Sequence, residues 1–79
     1  MAITVQEHLA AIADEAVAHY GVSDFGTMSS MVVWRLQVHP GTARLAKQSY
    51  WLNKALSDGW LAGSEGLRSA IVGLADLLA

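Results

Sequence analysis

The sequence predicts a mostly α single domain over residues 1–79, in which an N-terminal helix precedes a run that reads as strand or helix and then two further helices. Three observations predict it. Apolar residues recur at helical spacing in three stretches, glycine and proline fall between those stretches, and one run, Met31 to His39, alternates apolar with polar positions instead.

The first helix is predicted at about residues 5 to 20. Thr4 with Glu7 three positions on is a capping box, and Val5, Leu9, Ile12, Ala16 and Tyr20 then share one face until Gly21 offers a left-handed stop. A loop of Ser23, Asp24, Gly26 and Thr27 follows, and residues 1–24 together form an acidic N-terminal unit. The run at 31 to 39 has two readings. With period two, Val32, Trp34, Leu36 and Val38 face one way while Val33, Arg35, Gln37 and His39 face the other, and three valines with a tryptophan favour a strand. With period 3.6, Met28, Met31, Val32, Leu36 and Val38 wrap around a short buried helix. Pro40 ends either element.

A helix is next expected from about Thr42 to Ser57, with Leu45, Leu52, Ala55 and Leu56 inward and Gly59 as its stop. Its other face would carry Arg44, Lys47, Trp51 and Lys54. The last helix begins near Ser64 and Glu65, and Leu67, Ala70, Ile71, Leu74, Leu77 and Leu78 give an apolar stripe.

Charge is distributed unevenly along the chain. Residues 25 to 57 hold no acid but four of the five basic groups, Arg35, Arg44, Lys47 and Lys54, although the net charge is −2. A positive middle points to an anionic partner, either nucleic acid or an acidic protein surface. Composition adds a second expectation. Hydrophobic residues make up 53% and charged residues 15%, against roughly 25% charged in an average chain, so apolar side chains are left over for a partner, most simply a homodimer. The absence of cysteine excludes a disulfide frame and a thiolate zinc site. No apolar run is long enough for a membrane span and no secretory signal is visible, which makes the expected location cytoplasmic.

A basic alternating run, a helix, a glycine, and a second helix opening Gly63-Ser-Glu-Gly-Leu-Arg-Ser-Ala-Ile71 resemble the ribbon-helix-helix repressors and antitoxins over residues 32 to 78. The resemblance implies a strand-helix-helix unit dimerising through its strand, with the two-stranded ribbon in the DNA major groove. By position it implies Arg35, Gln37 and His39 as base readers. It also implies the start of the last helix, Gly63 and Ser64, as a phosphate contact. Arg44 and Lys47 would add backbone affinity. The alternative is an all-α four-helix bundle acting as a protein-protein interaction module, an adaptor or inhibitor, with Tyr50, Trp51 and Met31 as anchors.

Trp34 and Trp60 are expected in the core, and Trp34, Trp51 and Leu74 form the candidate set for a protein interface. Gly66 and Gly73, with Ser69 and Ala70 between them, offer a small-residue face for close helix approach. His8, Glu15 and His19 lie on one helix, but the two imidazoles stand about 16 Å apart along its axis and cannot share a metal ion. No cofactor is implied. No serine has a recognisable base partner and no glycine-rich phosphate loop occurs, so no enzyme activity is predicted.

Overall fold

The computed structural model describes residues 3–78. The first helix forms where the capping signal sets it. The Thr4 side chain accepts a hydrogen bond from the Glu7 N–H at 3.1 Å, and α1 runs over Val5–His19. Leu9, Ile12, Ala13 and Ala16 are its buried residues, and Gly21 turns the chain with φ 87°.

The element that follows overturns the strand. Asp24, expected in a loop, caps a helix instead: its carboxylate accepts from the Thr27 N–H at 2.7 Å, and α2 spans Phe25–Val38. That cap begins the helical register six residues before Met31, and Met28, Val32 and Leu36 then fall four apart on one buried face. Among the described residues no strand is formed, so the strand-helix-helix unit dimerising through its strand is replaced by an all-helical chain. Propensity gave way to packing. Valine costs a few tenths of a kcal/mol in a helix, whereas burying one such side chain is worth about 1.5–3 kcal/mol. A lone strand with no partner strand would leave its backbone groups unpaired.

Pro40 does end this helix, and its missing N–H decides how. The Leu36 carbonyl would receive the N–H of residue 40, which proline lacks. Fully buried Thr42 fills the gap, its hydroxyl lying 2.9 Å from the Leu36 carbonyl and 3.2 Å from that of His39. One residue earlier, the His8 Nε2–H from α1 donates to the Arg35 carbonyl at 3.1 Å.

The helix expected from Thr42 to Ser57 is broken in two. A 3₁₀ segment covers Ala43–Lys47, Gln48 leaves helical geometry with ψ 55°, and α3 spans Ser49–Leu61. Gly59 does not stop it. The glycine lies inside α3 because α4, Ser64–Val72, crosses there: a Cβ on Gly59 would sit 2.7 Å from the Ala70 Cβ and 3.0 Å from the Gly66 carbonyl oxygen. The close approach expected of Gly66 and Gly73 is thus made by Gly66 with Gly59, while Gly73 faces open space. The true stop is Gly63, with φ 98°. A second 3₁₀ segment, Gly73–Leu78, completes the described chain.

In the assembled fold α4 packs against both α1 and α3, while α2 closes over α1 and the first 3₁₀ segment. One core joins every element, from Leu9 and Ile12 through Leu36, Leu45 and Leu56 to Leu67, Ile71 and Leu74. Trp60 packs against that core as expected, between Tyr20 and Phe25, and its carbonyl accepts from the Tyr20 hydroxyl at 3.2 Å. Trp34 does not: it is 59% exposed on the outer face of α2, beside the Arg35 guanidinium. No described helix is long and apolar enough to cross a membrane.

Candidate functional site

The residues proposed for DNA contact do not converge. Residues two apart on a helix point about 200° away from each other, so Gln37 faces away from Arg35 on α2, and His39 lies past the end of that helix in extended geometry; the three form no single reading surface. Arg35 turns to α1 and pairs with Glu15 at 2.9 Å. Gln37 is exposed, and His39 caps the chain's own backbone, with Nδ1 accepting from the Gly41 N–H and Nε2–H donating to the Ile3 carbonyl, both at 2.9 Å. The His39 ring also stacks on His8, with centroids 4.9 Å apart. Gly63 and Ser64 do open α4, but Gly63 supplies no side-chain cap and its carbonyl accepts from the Leu67 N–H within the helix.

The positive middle of the chain is likewise spread out. Since Gln48 separates the 3₁₀ segment from α3, Arg44 and Lys47 do not continue the face of Trp51 and Lys54. Arg44 donates to the Leu78 carbonyl, Lys54 pairs with Asp58 at 3.3 Å, and Arg68 of α4 pairs with Asp14 of α1. Lys47 is exposed and has no ion-pair partner among the described residues. His19, exposed at the end of α1, borders a small hollow of 140 Å³ with Met28 and Met31, which separates Met31 from the other expected anchors.

What the fold does bring together is one face of α3 with large exposed apolar side chains at its two ends. Trp51, Lys54, Ala55 and Asp58 are spaced i, i+3, i+4 and i+7, one stripe of the helix surface. Tyr50 at one end of it is 68% exposed, Trp51 55%, and Leu61 at the other end 82%. The two aromatic rings hold each other edge to face, 5.0 Å between centroids. Beside the stripe lies an open groove of 310 Å³ between α3, α4 and the C-terminal 3₁₀ segment, lined by Trp51, Ala55, Ala70, Leu74 and Leu77, with Lys54 and Asp58 on its rim. Leu74, fully buried, is its floor. Of the expected interface residues, Trp51 and Leu74 therefore meet in one place and Trp34 stands apart on α2.

The sequence reading missed Leu61 and Leu77 as surface groups. Leu61 carried a signal: it follows Asp58 by three positions, which continues the stripe of Trp51 and Lys54 once Gly59 is read as helical.

Among the described residues Asp24 is the one group whose acidity is clearly displaced. The Thr27 backbone N–H, aided by the Thr27 side chain, holds its carboxyl below the usual carboxylate range. Among the described residues no cluster of three or more His, Cys, Asp or Glu is arranged to hold a metal ion. Comparison with protein-family models, with curated proteins and with solved structures finds no match to this chain.

Proposed function

We propose that the chain is a non-catalytic helical interaction module that docks a protein surface on α3 and the groove beside it. The observation that carries this reading is the concentration of exposed Tyr50, Trp51 and Leu61 on one short helix, next to a groove floored by Leu74. Aromatic side chains at the edge of a hollow are the usual anchors of protein interfaces. The apolar lining favours a protein over a polyanion. Nucleic acid calls for clustered Lys and Arg, and here the basic groups lie on separate elements, with Arg35 and Arg68 each paired to a carboxylate of α1.

A photo-crosslinking side chain at Leu77, on the groove, tests the reading in the cells that make the protein. A discrete adduct with a protein is expected from this position, and none from Gln37 on the exposed part of α2. Equal labelling from both positions, or from neither, would count against it.

A further inference from the structure

Resting on that docking reading, we infer that the occupant of the α3 face is a second copy of this chain, packed antiparallel about a two-fold axis at the level of residue 56. The charge pattern supports this choice. Lys54 and Asp58 lie one turn apart in the middle of the face, at equal distances on either side of residue 56, with opposite signs. A two-fold interface brings each patch against itself. Turning one α3 over onto another therefore sets Lys54 against Asp58 of the second copy and Asp58 against Lys54. The same operation sets Trp51 against Leu61 of the second copy, and Tyr50 against Ala62, a large side chain opposite a small one. One symmetry axis thus matches charge with charge and apolar end with apolar end. A parallel arrangement would instead put lysine on lysine.

The pair within one chain leaves these groups available. Its partners are 54% and 67% exposed and 3.3 Å apart, the kind of surface contact that contributes little by itself. In the dimer the two pairs become a four-charge ring with Trp51 and Leu61 outside it, which shelters them from water. The composition agrees, since a chain with 15% charged residues has few ionic groups with which to cover that face.

Charge reversal tests the symmetry directly. The full chain is expected to sediment as a concentration-dependent dimer of twice 8.4 kDa. Lys54→Asp leaves the face wholly acidic and Asp58→Lys leaves it wholly basic, so each variant alone should lose self-association by about tenfold or more. An equimolar mixture of the two variants should recover the dimer. Recovery by mixing cannot come from misfolding, and unchanged circular dichroism of each variant would check the fold independently. A wild-type chain that remains monomeric into the submillimolar range overturns the inference, as does a single variant that dimerises like wild type or a mixture that stays monomeric. The Leu77 crosslink separates this failure from failure of the docking reading. An adduct with a different protein, beside a monomeric chain, removes the second copy and keeps the docking face; a monomeric chain with no adduct removes both.

Discussion

Two residues that join the ends of α2 show how much the fold owes to single hydrogen bonds. Asp24 accepts the Thr27 N–H, and its carboxyl is thereby held below its ordinary range of acidity. A carboxyl more acidic folded than unfolded contributes stability that is complete above the unfolded value and is lost as pH falls through the lower, folded one. Wild type should therefore lose stability in that acidic window, and Asp24→Asn, with no carboxyl there to titrate, should lose less across it. Acid titrations of the two chains followed by circular dichroism would show this, and parallel curves would remove Asp24 as the cause. At the other end, Thr42 serves the carbonyl that Pro40 leaves without a donor. Thr42→Val keeps the shape and removes the hydroxyl, so it should cost about 1–3 kcal/mol, the penalty for a buried carbonyl left unpaired. Urea denaturation midpoints at unchanged slope give that number.

Among the elements, the crossing of α3 and α4 is the tightest contact, and glycine makes it possible. A methyl group at Gly59 would meet Ala70 and the backbone of Gly66 and Leu67, so Gly59→Ala should push the helices apart and cost about 1–3 kcal/mol, although alanine is the better helix former. A Gly59→Ala chain as stable as wild type, by thermal unfolding, would contradict the crossing. The same residue explains how far the sequence was legible. The ends of α1 and the start of α4 carried local signals, Thr4 with Glu7 and Ser64 with Glu65, and both helices begin where those signals lie. Gly59 carried a local signal for a stop that a distant helix overrules. Residues 31 to 39 were ambiguous for another reason. Val32 and Leu36 are four apart, which fits either period, and only the cap at Asp24 and the position of Met28 decide between them. The candidate site was legible in its residues Trp51 and Leu74 but not in its outline, because its other wall is made by Leu77, far along the chain.

At the scale of the whole molecule, one small core draws on all the elements. Leu56 is fully buried where α3 meets the rest. Leu56→Ala should cost about 2–5 kcal/mol, a large part of the roughly 5–15 kcal/mol available to a domain, and calorimetry would measure the loss. Stability is not even across the molecule, however. The groove is bounded on one side by α3 and on the other by the segment Gly73–Leu78, whose 3₁₀ hydrogen bonds have poorer geometry than those of an α-helix. Beyond Leu74 that segment presents a partly exposed Leu77, with Leu78 tied through its carbonyl to the Arg44 side chain. Such a segment is expected to open by local fluctuation before the helices do. In amide hydrogen exchange its N–H groups should therefore be exchanged while those of α3 are still protected. The width of the groove is then an equilibrium property, and an occupant that inserts beside Trp51 would register first as slowed exchange at the chain's C-terminal end.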